Sequence, residues 1–121
     1  GAMTAAPIHL NYTIASVDLS LPSTPTWGTG ALRNVSGVMA LWTGDVLRDG
    51  HVRYVGQNND RDPILQAIGG IVPTQTVSGY LPSDLGLDGI VRYVGMSNDR
   101  DPILSAIGGN VPTLELNEQL P

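Results

Sequence analysis

The chain repeats itself, and this limits its folding more than any other feature. Asp49-Gly50-His51-Val52-Arg53-Tyr54-Val55-Gly56 returns 39 residues later as Asp88-Gly89-Ile90-Val91-Arg92-Tyr93-Val94-Gly95. The match runs on through Asn59-Asp60-Arg61-Asp62-Pro63-Ile64-Leu65 and Asn98-Asp99-Arg100-Asp101-Pro102-Ile103-Leu104, and ends with Val72-Pro73-Thr74 and Val111-Pro112-Thr113. Between 49–74 and 88–113, 21 of 26 positions are identical. The five differences are His51/Ile90, Gln57/Met96, Asn58/Ser97, Gln66/Ser105 and Ile71/Asn110. A match this long is a tandem duplication, so the same small unit is used twice.

Each unit opens with an acidic loop, Asp45 to Gly50 or Asp84 to Gly89. A short β-like piece follows, Val52-Arg53-Tyr54-Val55 or its copy. A polar turn then leads to Asp-Arg-Asp-Pro. Asp62 is placed as an N-cap, where its carboxylate can accept from free backbone N–H groups. Pro63 would then stand at the first helical position, where a missing N–H costs nothing. Ile64, Leu65 and Ile68 share one helical face, and Gly69-Gly70 stops the helix. Asp101, Pro102, Ile103, Leu104, Ile107 and Gly108 repeat the pattern. A two-turn helix is too short to be stable alone in water, so it needs packing.

Composition sets the outer bounds. The 121 residues suit one domain, or two very small ones. Gly and Pro total 24 residues, which leaves little room for long helices. The formal net charge is −5, from six Arg against nine Asp and two Glu, so the basic stripe of a nucleic-acid binder is missing. No apolar run approaches the length of a membrane span. There is no Cys, hence no disulfide, thiolate metal site or cysteine nucleophile. Gly1-Ala2-Met3 reads as an expression scar, which makes the chain a piece of a longer protein. Residues 4–43 form a β-leaning segment. Ile8, Leu10, Tyr12 and Ile14 alternate with polar residues as in a strand. Val35, Val38, Met39 and Trp42 fit one helical face, although Gly37 interrupts it. The repeats occupy 44–114, as 44–74 and 83–113, and 115–121 is an extended, frayed tail.

Eight of the nine Asp lie in the repeats, and their spacing suits a hard cation. A calcium loop takes side-chain oxygens from positions 1, 3 and 5, a backbone carbonyl from 7 and a late carboxylate, with Gly at 6 making the turn. Asp45, Asp49, Gly50 and His51 stand at positions 1, 5, 6 and 7 of the first loop. Asp84, Asp88, Gly89 and Ile90 do so in the second. Val52 and Val91, at position 8, would face the core. The late carboxylate is Asp60 or Asp62, and Asp99 or Asp101. Two readings compete with a metal. Asp is also a turn former and helix cap, and Arg61 and Arg100 could neutralise the cluster without any cation.

Paired Asp-x-x-x-Asp-Gly-x-Val loops, each followed by a short helix, resemble the dockerins, duplicated F-hand modules of the EF-hand type. The Val-x-Tyr-x-Gly-x-x-Asn-Asp-Arg-Asp stretches at 52–62 and 91–101 look like dockerin-type repeats of secreted bacterial surface proteins. The resemblance implies a small mixed α+β domain with two calcium loop–helix repeats in pseudo-two-fold arrangement. It implies two Ca²⁺ per chain, no catalysis, and a cohesin-like or other protein partner outside the cytoplasm. The alternative is a structural spacer of a surface protein, with calcium serving stability alone. Two features depart from the dockerin pattern. Leu47 and Gly86 hold position 3, where neither side chain can coordinate a metal, and Asp60 and Asp99 fall at position 16 rather than 12.

Nothing else carries chemistry. His9 alternates outward in the expected strand. The His51 ring is replaced by Ile90 in the copy. Tyr54 and Tyr93 suit a core. Ser16, Ser20 and Ser36 lack His and Asp companions. Gly28-Thr29-Gly30 lacks the rest of a phosphate fingerprint. The carboxylates lack the cleft a glycosidase requires.

Overall fold

Each copy of the repeat builds a strand, a seven-residue helix and a second strand. In the computed structural model, which describes residues 2–9 and 14–118, the first copy gives β3 (His51–Arg53), α1 (Arg61–Ala67) and β4 (Thr76–Ser78). The second gives β5 (Ile90–Arg92), α2 (Arg100–Ala106) and β6 (Glu115–Asn117). These elements belong to one compact unit, Thr43–Asn117; the rest of the chain forms another.

Within Thr43–Asn117 the two copies are interlocked. β3 pairs antiparallel with β6, Val52 opposite Leu116, and β4 pairs antiparallel with β5, Val77 opposite Val91. Every strand therefore finds its partner in the other copy. The helices cross over too: α1 packs on β5 and α2 on β3. The core draws matching residues from both copies, with Val52, Ile64 and Ile68 meeting Val91, Ile103 and Ile107. Val52, Ile64, Val91 and Ile103 are wholly excluded from solvent. Burying such side chains is worth about 1.5–3 kcal/mol each. Gly44 shows how close the copies come. A Cβ there would lie 2.9 Å from Val52 Cγ1 and 3.4 Å from the Ile103 backbone, and its φ of +111° also disfavours a side chain.

The helices differ in detail from the sequence expectation. They start at Arg61 and Arg100, two residues before the Pro, and neither Asp62 nor Asp101 is the N-cap. Asn59 takes over that task, its Oδ1 accepting from the N–H groups of Arg61 and Asp62. Asn98 does the same for Arg100. Pro63 remains within the first turn, where N–H groups have no helical acceptor. The glycine stop is as expected. Gly70 N donates to Leu65 O and Gly69 N to Gln66 O, and both glycines have positive φ, the Schellman arrangement. Gly109 and Gly108 repeat it.

Two further expectations are corrected. The tail is not frayed over Glu115–Asn117, because these residues supply the partner that β3 requires. Val35, Val38 and Met39 do not share a helix. β1 (Arg33–Val35) and β2 (Val38–Ala40) form a hairpin instead. Ser36 and Gly37, both at positive φ, make its two-residue turn.

In the N-terminal unit this hairpin accompanies a bridge between Thr4 and Thr26. Trp42 Nε1 donates to Gly30 O, and Arg33 lies over the Trp42 ring. Ala31 is its buried hydrophobic residue among those described. Of the expected strand over Ile8–Ile14, residues 10–13 lie outside the described residues, and Ile8, His9 and Ile14 are not in a strand. No helix among the described residues is long and apolar enough to cross a membrane.

Candidate functional site: two carboxylate-tied loops

The acidic loops are built on short backbone bonds. Asp45 Oδ1 accepts from Asp49 N at 3.1 Å and Oδ2 from Gly50 N at 2.9 Å. Asp84 holds Asp88 N and Gly89 N in the same way, at 3.2 and 2.9 Å. The position 1 carboxylate thus folds the loop back on itself, and Gly50 and Gly89, at positive φ, complete the turn. His51 and Ile90, at position 7, open β3 and β5 opposite Asn117 and Ser78.

Asp60 and Asp99 lie behind these loops, 0% and 1% exposed. Asp60 Oδ1 accepts from Val46 N and Leu47 N, at 2.8 and 3.1 Å, and Oδ2 from Arg53 N at 2.9 Å. Asp60 N returns a bond to Arg53 O, so the two residues clasp each other. Asp99 repeats this with Gly86 N and Arg92 N. Each late carboxylate ties the loop to the strand. Burial pushes the Asp60 carboxyl above its ordinary pKa, three backbone N–H groups pull it back, and the neighbouring Asp45 charge raises it further.

Position 5 is engaged differently. Asp49 Oδ1 accepts from His51 N, and Oδ2 pairs with the Arg53 guanidinium at 3.1 Å. Asp88 pairs with Arg92 at 2.5 Å, which holds its carboxyl below the ordinary range. Arg53 also reaches Glu115 in β6 at 3.0 Å. Asp62 and Asp101 each take the side-chain amide of Asn59 or Asn98, at 2.9 Å, and stand apart from positions 1 and 5 in these bonds.

The cations that neutralise the loops are therefore Arg53 and Arg92, not Arg61 and Arg100. The latter two lie over the Tyr54 and Tyr93 rings, 4.5 and 4.6 Å from the centroids. The tyrosines pack on the core edge and stack at once. The His51 ring has partners the sequence did not suggest: Nδ1 lies 2.6 Å from Asn117 Oδ1 and 2.7 Å from Glu115 Oε1. Identity between the copies was the available signal for Arg53/Arg92 and Asn59/Asn98. No such signal marked Glu115, whose counterpart is Thr76.

A hard cation fits these loops in part. Among the described residues no three His, Cys, Asp or Glu side chains are grouped as a metal site. Position 3, Leu47 or Gly86, supplies no side-chain oxygen, and position 5 is paired with arginine. Positions 1 and 16 come closest to a donor pair. A Cβ on Gly86 would lie 3.6 Å from Asp99 Oδ1 and 4.0 Å from Asp84 Oδ1, so two carboxylate oxygens border the space above that glycine. Among the described residues no ion pair reaches Asp45, Asp60, Asp84 or Asp99.

Fold and site together define a duplicated α+β unit whose loops are tied by buried carboxylates. No protein family, curated protein or solved structure matches the chain.

Proposed function

We propose that Thr43–Asn117 is a non-catalytic, dockerin-like interaction module of a secreted or cell-surface protein, with Ca²⁺ as the ligand of its two loops. One observation carries the reading. Each loop sets two carboxylates that have no ion pair among the described residues, Asp45 with Asp60 and Asp84 with Asp99, around the same backbone turn. The Asp45 charge acts unfavourably on Asp60, and a divalent cation relieves such repulsion. Asp45 and Asp60 would hold the first ion, Asp84 and Asp99 the second, with water completing the shell. Oxygen donors without Cys favour a hard cation over zinc. Affinity on the order of 10⁻⁴–10⁻³ M suits so few protein ligands.

The second reading is a structural spacer that stands without metal. The backbone bonds of these four carboxylates and the guanidinium bonds of Asp49 and Asp88 favour it, since together they satisfy much of the acidic cluster from within the chain. One measurement separates the two. Binding to the folded state alone adds about 2.7 kcal/mol at a hundredfold excess over Kd. The melting temperature should rise between EDTA and ~5 mM Ca²⁺, and calorimetric titration should give two sites per chain. An unmoved melting temperature would leave the spacer reading.

A further inference from the structure

The chain keeps most of its charge out of its N-terminal unit. Residues 1–42 and 118–121, which make up that unit, carry three charged side chains, Asp18, Arg33 and Glu118. Residues 43–117 carry five Arg against nine carboxylates, a net charge of −4. Large apolar residues lie open on the same N-terminal unit. Trp27 is 57% exposed, Val38 55% and Val35 49%, and Ile14 and Leu41 are more exposed still. Against these stands Ala31, the buried hydrophobic residue of the unit among those described.

A unit of this size rarely closes a core of its own, and disulfides, a metal or association then hold it. Disulfides are excluded by the absence of Cys. A metal finds no ligand set: the unit has His9, Asp18 and Glu118 alone, and Asp18 accepts from both the N–H and the hydroxyl of Ser20. Association remains.

A second copy of the chain suits this surface. Two N-terminal units meet almost free of charge repulsion, whereas two repeat units would bring −4 against −4. The interfaces of homodimers are depleted in charge at their centre and more apolar than the rest of a surface. A two-fold dimer also needs one patch that can meet itself. The hairpin supplies it. Val35 stands directly opposite Val38, so both side chains leave one face of β1 and β2. Arg33 and Ala40 are the next pair on that face, and the guanidinium of Arg33 is taken up by the Trp42 ring. We propose that two copies associate through their N-terminal units, the Val35–Val38 faces packed on each other across a two-fold axis. The contact uses no repeat residue and does not require calcium.

The test is sedimentation of the full chain in EDTA across micromolar concentrations, with amide-resolved NMR of the same dilution series. A monomer–dimer equilibrium is expected, with concentration-dependent shifts centred on Val35 and Val38 and not on 43–117. Val35→Asp and Val38→Asp each place an unpaired charge in the contact and should weaken dimerisation at least about tenfold, with the repeat signals unchanged. Leu87→Asp alters an exposed apolar residue of the repeats and should leave the dimer as it is. If neither hairpin variant keeps the hairpin signals, the dilution series of the unaltered chain decides. A chain that stays monomeric, shifts centred on the repeats, a dimer lost in Leu87→Asp, or an unweakened dimer in a folded Val38→Asp variant would overturn the proposal.

Discussion

Asp60 and Asp49 are both loop carboxylates, yet substitution should separate them sharply. Asp60 is buried and accepts three backbone N–H bonds. Asp60→Ala leaves those donors without an acceptor in a space closed to water. Each buried unsatisfied group costs about 1–3 kcal/mol, so a loss above about 3 kcal/mol is expected. Asp49 sits in a partly exposed pair with Arg53, and its removal should cost under about 1 kcal/mol. Urea unfolding of the two variants without calcium checks this. Comparable losses would mean the carboxylates do not divide the work as their bonds indicate. The sequence marked both positions by spacing alone. It did not separate them, because spacing does not show that the backbone N–H groups of Val46, Leu47 and Arg53 converge on Asp60 and not on Asp49.

The helix ends were legible because the chemistry is local. Two consecutive glycines after an apolar turn can adopt positive φ, and that closes the Schellman bonds of Gly70 and Gly109. Helix starts were less legible, since Asp62-Pro63 and Asn59 each carry a start signal and only the second is used. The hairpin at 33–40 was hidden for a similar reason. Val35, Val38 and Met39 suit a helical face as well as two three-residue strands, and Ser36-Gly37 decides between them. β6 had a visible signal: Val77 and Leu116 stand at the 39-residue offset, yet their mates are distant in sequence. Gly109 gives a clean test at this scale. Its φ is +83° and a Cβ would meet nothing within 4 Å. Gly109→Ala should therefore cost only the backbone term, about 1–2 kcal/mol, with α2 intact by circular dichroism. A neutral substitution would show that the helix end does not depend on this conformation.

At the scale of the whole unit, pairing between copies makes each repeat incomplete alone. A fragment covering 43–82 keeps β3, α1 and β4 but loses β6, β5 and α2, the partners of all three. Its Val52, Ile64 and Ile68 would face water. A seven-residue helix and three-residue strands cannot offset that, since both are far shorter than what stands alone. The fragments 43–82 and 83–117 should each be unfolded at micromolar concentration by circular dichroism. Mixed, they should fold together in a concentration-dependent way, because association replaces the covalent link. The first fragment should also pair with itself, more weakly. Val52, Ile64 and Ile68 have identical counterparts in Val91, Ile103 and Ile107, but Val77 would stand where Leu116 packs and Thr76 where Glu115 pairs with Arg53. Sedimentation should thus rank the mixed pair above the self-pair. A single fragment that is helical as a monomer would overturn the interlocked account of this fold.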